Sequence, residues 1–81
     1  MNESEIKTII FQLLKRIAPD TEPSTLQPGD NIREVLGIDS FDALQFLVAL
    51  DEKLGIDIPE ADYGKTGTLE SLVEYVRSKM P

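Results

Sequence analysis

Gly37-Ile38-Asp39-Ser40-Phe41-Asp42 leads straight into an apolar stretch that ends at Leu54. Asp39 suits the N-cap of a helix, because its short side-chain oxygen can accept from the free amides of the first turn. Asp42, three residues on, adds negative charge where the helix dipole favours it. Gly37 lets the chain bend sharply into the helix. Ser40 is then a first-turn residue, its hydroxyl near unpaired amides that suit an anion. A phosphate esterified to that oxygen would be well placed. Taken alone, the serine reads as an ordinary polar residue at a helix start.

The helix Ser40–Leu54 carries two apolar stripes. At ~100° per residue, Ala43, Phe46, Leu47, Leu50 and Leu54 share a sector about 100° wide, which is the core face. Phe41, Leu44 and Val48 fall on a second sector, roughly 120–140° away. Asp51 and Glu52 flank that second stripe, and Asp42 stands in the first turn. A helix that needed only to fold and stay in solution should be polar there. An apolar strip edged with acids, starting beside Ser40, is expected to dock into a groove with basic rims.

Working outward from this helix, residues 19–39 form a long connection broken by Pro19, Asp20, Pro23, Ser24, Pro28 and Gly29. A loop this long needs packing of its own, expected from Leu26, Ile32, Val35 and Leu36 lying across the helices. Asp30 is expected to cap a single turn through Leu36. Upstream, Ile6, Ile9, Ile10, Leu13, Leu14 and Ile17 recur at helical steps and predict a helix over about 3–17. Asn2 and Glu5 make a capping pair, and Phe11, off the main stripe, is expected to cover the following loop. Downstream, Gly55 ends the central helix. Ile56-Asp57-Ile58-Pro59 is extended, and has no second strand to pair with. Pro59 opens a short turn over 60–63, with Pro at its first position. Thr68 caps a last helix over about 68–79, with Leu69, Leu72, Val73 and Val76 as its buried stripe. Tyr75 is expected at the edge of that face.

The fold class that follows is all-α: a small bundle of three main helices plus one short helix, with a long first loop. Residues 1–81 are expected to form one domain. A core this small should be marginally stable.

Composition narrows the function. The 81 residues include no cysteine and no histidine. That removes disulfides, Cys/His zinc sites and Cys/His nucleophilic systems, and argues against an enzyme. Fifteen acids against eight bases give a net charge of −7. Nucleic acid would be repelled and basic protein surfaces attracted. The acids do not match the spacing of a helix-loop-helix calcium site. No apolar run is long enough to cross a membrane and no signal peptide is visible, so a cytoplasmic monomer is the expectation.

Gly-x-Asp-Ser followed by an apolar residue and an amphipathic helix resembles the acyl carrier protein and phosphopantetheine-attachment domain family. The resemblance extends from the first helical pattern through Leu54-Gly55-Ile56-Asp57-Ile58-Pro59 to Thr68-Leu69-Glu70-Ser71-Leu72. It implies that Ser40 carries 4′-phosphopantetheine, attached by a phosphopantetheinyl transferase that uses coenzyme A and Mg²⁺. It implies that acyl groups ride as thioesters on the arm between acyl-transferring or synthase enzymes. Asp39 would help the transferase recognise the site. Phe41, Leu44 and Val48 would dock partners, with Asp42, Asp51, Glu52, Glu60 and Asp62 pairing to partner Arg or Lys. Ile58, Ala61 and Tyr63 would line the entrance to any acyl pocket.

Phe41 stands where the family usually has leucine, Gln45 where an acid is frequent, and Lys53 breaks the acidic run. Thr66-Gly67 replaces a usually apolar, β-branched pair. A specialised carrier is therefore as well supported as one for primary fatty-acid synthesis. Two alternatives stay open: an aminoacyl or D-alanyl carrier, and an unmodified helical adaptor that binds through the second stripe.

Overall fold

The computed structural model describes residues 1–80. Three long helices make the frame: α1 (Glu3–Ile17), α3 (Ser40–Leu54) and α4 (Leu69–Lys79). A five-residue helix, α2 (Ile32–Leu36), lies within the long first connection. Two 3-10 segments, Pro23–Thr25 and Glu60–Lys65, complete the helical structure. Among the described residues there is no strand, only one isolated bridge between Asn31 and Thr68.

The apolar stripes meet as their spacing requires. α1 packs on both α3 and α4. Ile6, Ile10 and Leu14 of α1, Leu50 of α3, and Leu69, Leu72 and Val76 of α4 are almost wholly shielded from water. Burying each such side chain is worth about 1.5–3 kcal/mol. The flanks are polar because that burial is one-sided. α1 starts with a reciprocal cap between Asn2 and Glu5 and ends with Lys15 and Arg16, matching its dipole at both ends.

The long connection is fastened to the bundle by its backbone. Leu26, Ile32 and Ile38 enter the core, and Leu36 packs against it. The carbonyls of Asp30 and Pro28 accept from the first two amides of α4, Leu69 and Glu70, at 3.2 and 2.8 Å. Thr68 caps the third amide, that of Ser71, and Ser71 reaches back to Thr68. The start of α4 therefore has protein partners for groups that a helix end leaves unpaired.

Three expectations for the connecting segments need correction. Asn31, not Asp30, caps α2: its side chain accepts from Glu34 N–H, while the Asp30 carboxylate accepts from Gln27 N–H at 2.8 Å. The first oxygen to reach the turn is one residue later than spacing alone suggested. Val35 lies 48% exposed instead of packing across the helices, because α2 presents Ile32 and Leu36 inward. Pro59 is the N-cap of the second 3-10 segment instead of its first helical residue, and that segment runs on to Lys65. Gly37 and Gly55 end α2 and α3 in the left-handed conformation, with φ of 67° and 65°.

Candidate functional site

Ser40 is the first residue of α3 and lies exposed. The turn that puts it there is built from three local bonds. Gly37 and Ile38 both donate their amides to Arg33 O, which closes α2 and turns the chain. Asp39 then accepts from Asp42 N–H at 2.8 Å and caps α3. Ala43 N–H bonds to Asp39 O at 3.0 Å, so the amides of Ser40 and Phe41 stand outside the helical ladder. These two donors, at the positive end of the dipole, favour an anion close to the serine oxygen.

Two surfaces meet at Ser40. One is a cleft of about 220 Å³. Its apolar lining comes from Ile32, Ile38, Ala43, Leu44, Phe46 and Leu47, with Ser40 at its edge. Tyr63, Thr66 and Gly67 supply another part of the wall from the second 3-10 segment and its exit. Arg33 is the one charged residue of the lining. The other surface is the outer strip of α3, where Phe41, Leu44 and Val48 are 63%, 43% and 46% exposed. Leu44 belongs to both, joining the cleft to the strip.

The carboxylates around the strip divide into two kinds. Glu52 and Glu60 are exposed, and Asp42 is half-buried in the first turn of α3. Glu52 borders the strip on the side facing α1, in a shallow crevice with Ile9, Gln12, Leu13 and Arg16. Asp51 is different: it is half-buried and its Oδ2 accepts from Ile58 N–H at 3.0 Å. It holds the chain leaving α3 instead of standing free at a rim. Asp62 is also engaged, accepting from the Tyr75 hydroxyl at 2.7 Å through Oδ2 and pairing with Lys65 at 3.3 Å through Oδ1. The tyrosine bond, aided by Lys65, holds the Asp62 carboxyl below the ordinary carboxylate range, against a smaller opposing effect of burial. Loss of water and the bond to Asp62 push the Tyr75 hydroxyl up to about 12. Asp51 and Asp62, both expected to pair with a partner's bases, thus already make internal hydrogen bonds.

The expected pocket entrance is also only partly placed as foreseen. Tyr63 lines the cleft, but Ile58 is buried in the core and Ala61 is exposed away from the lining. Residues that sequence reasoning missed are Asn31, Arg33 and Ile38. All three come from the long connection and meet Ser40 only because that connection folds back onto α3 and α4. No group of His, Cys, Asp or Glu among the described residues could hold a metal ion. No described helix is long and apolar enough to cross a membrane.

An exposed hydroxyl at a helix start, two free amides and an adjoining apolar cleft are what an esterified phosphate bearing a long arm requires. Residues 4–76 match the family described as "Phosphopantetheine attachment site". The chain is 29% identical to an acyl carrier protein of Thermosynechococcus vestitus, covering 99% of this chain and 98% of that protein. It is 31% identical to an acyl carrier protein of Campylobacter hominis, over 91% of this chain and 87% of the relative. It is 27% identical to the mitochondrial acyl carrier protein 2 of Arabidopsis thaliana, over 96% of this chain and 61% of the plant protein. The chain thus belongs to the phosphopantetheine-attachment family.

Proposed function

We propose that Ser40 carries 4′-phosphopantetheine in phosphodiester linkage, and that this chain presents acyl groups to enzymes of fatty-acid, polyketide or related biosynthesis. The observation that carries this reading is the position of Ser40, exposed at the start of α3 between an apolar cleft and an apolar strip. The bound arm would supply a terminal thiol, which holds an acyl group as a thioester.

The chain's own residues have simpler tasks. The Ser40 oxygen forms a new bond to the pantetheine-bearing phosphorus of coenzyme A's diphosphate, whose bond to the bridging oxygen breaks as the adenosine bisphosphate portion leaves. The transferase supplies the base that takes the serine proton, and the Mg²⁺. The chain has no histidine or cysteine that could activate the hydroxyl. Asp39 fixes the first turn and so fixes the direction of the Ser40 side chain. The amides of Ser40 and Phe41 favour the phosphate charge. Phe41, Leu44 and Val48 enter an apolar groove on the partner, with Asp42, Glu52 and Glu60 facing basic rims. This role is that of a carrier and not of a catalyst. The hydrocarbon character of the cleft favours an acyl cargo over an aminoacyl one.

The test is direct. Apo protein is incubated with coenzyme A, Mg²⁺ and a broad-specificity phosphopantetheinyl transferase. The intact mass should rise by one phosphopantetheinyl group, and Ser40→Ala protein should gain nothing. Modification of the alanine variant would put the site elsewhere, and an unmodified wild type would leave the helical adaptor as the better reading.

A further inference from the structure

The cleft beside Ser40 is bounded by one segment that is held far more lightly than the rest. Residues Glu60–Lys65 bury none of their side chains fully, and their N-cap Pro59 offers no side-chain hydrogen bond. Yet this segment and its exit place Tyr63, Thr66 and Gly67 in the cleft wall. Its far end is pinned. Thr66 is buried, its hydroxyl bonds to Tyr63 O at 2.8 Å, and Gly67 O accepts from Ile32 N–H at 3.0 Å. Its middle hangs on a single bond, from the Tyr75 hydroxyl of α4 to Asp62 at 2.7 Å. Among the described residues this is the one hydrogen bond that ties residues 60–65 to a long helix. Tyr75 itself is braced, packed against the core with Lys79 Nζ 5.4 Å from its ring centre.

We propose that the Tyr75–Asp62 hydrogen bond sets how far the wall of the cleft can move from α3, and thereby the length of acyl chain the bundle shelters. Tyr75 and Asp62 are thus positioning residues for the cargo: neither lines the cleft, and both act through Tyr63. The inference rests on the carrier reading above. The charged groups facing Asp62 are Lys65 and Lys79, and those facing Tyr75 are Asp62, Asp57 and Asp51. Asp62 stays ionised and Tyr75 protonated at neutral pH, so the latch is closed by default and opens by strain from the cargo.

The experiment uses the full chain, loaded with phosphopantetheine and then with saturated acyl groups of increasing length. Two quantities are read: the rise in Tm with acyl length, and amide hydrogen exchange at Asp62 and Thr66. In the wild type the rise should level off at a limiting length. In Tyr75→Phe, which removes only the hydroxyl, exchange at those amides should quicken by about tenfold and the limit should move to longer chains. Protection in the cores of α1 and α3 should stay as in the wild type. Asp62→Leu should behave like Tyr75→Phe, while Asp62→Asn, which keeps an acceptor, should restore most of the wild-type limit. An unchanged limit and unchanged exchange in both Tyr75→Phe and Asp62→Leu would overturn the latch. A wild type whose Tm ignores acyl length altogether would overturn the sheltering of cargo, and the latch with it. Failure to accept phosphopantetheine at all would instead strike at the carrier reading.

Discussion

The two faces of α3 are built from the same kinds of residue and have opposite fates. Phe46, Leu47 and Leu50 are buried against α1 and the rest of the core. Phe41, Leu44 and Val48, about a third of a turn away, are left in water. Nothing in the inner face calls for carboxylates, whereas the outer face is bordered by Glu52 and by Asp42. Exposed apolar side chains do not stabilise a lone domain, so their presence in a contiguous strip points to a surface that is covered by something else. The lesson is that one helix can serve two masters if its stripes are kept apart by angle and separated by acids.

The contrast is open to attack. The largest effect should come from the inner face. Leu50→Ala should lose about 2–5 kcal/mol, because Leu50 is fully buried and its cavity cannot collapse readily. In a small domain that is enough to leave much of the chain unfolded at moderate urea, as circular dichroism would report. A loss under ~1 kcal/mol would mean that the inner face is not the core that its burial implies.

Next comes the division among the acids. Asp51→Ala should cost about 1–3 kcal/mol, since it strands the partly buried Ile58 amide. Glu52→Ala should change stability by no more than about 0.5 kcal/mol. Equal costs in denaturant titrations would erase the distinction between a structural acid and a free one.

The outer face should answer in function and not in stability. Val48→Asp and Phe41→Asp should each lower kcat/KM of a partner enzyme by about tenfold, with helix content unchanged. A collapse of helicity would return these side chains to the core. Asp39→Ala should cost about 1 kcal/mol by uncapping α3, and should also slow modification of Ser40 by the transferase.

The smallest effect concerns pH. Asp62 has a lowered pKa in the folded chain, so its bond to Tyr75 contributes stability above the ordinary aspartate pKa and loses it as pH falls through the folded value. Tyr75 is raised, so its share is complete below pH 10.0 and is lost as pH climbs through about 12. The Tm difference between wild type and Tyr75→Phe should therefore be flat across neutral pH and shrink at both extremes. A difference that vanished between pH 6 and 8, both well inside that window, would contradict the bond.

Reading the chain alone reached the long helices because each carries an unbroken apolar stripe with a start signal and a stop signal. It reached Ser40 for the same reason: Gly37, Asp39 and Asp42 are neighbours, and a cap is a contact over three residues. It did not foresee the internal bonds of Asp51 and Asp62, because their partners lie seven and thirteen residues further along, on other elements. No local pattern distinguishes a carboxylate that holds Ile58 from one that waits for a partner. Val35 shows the same limit in reverse, since an apolar residue in a short helix has no periodicity long enough to fix its direction.

The order of residues by itself determined where the three long helices start and stop, that a serine stands at the head of the central one, and that no side chain here can act as a thiol or imidazole. Those are matters of neighbouring dihedrals, short-range caps and composition. Only the tertiary structure decided which acids are free, and that Asn31, Arg33, Ile38, Tyr63 and Thr66 converge on Ser40 to form a cleft. That convergence depends on how a long connection closes across α3 and α4, and its contacts are set by packing between segments that share no local pattern.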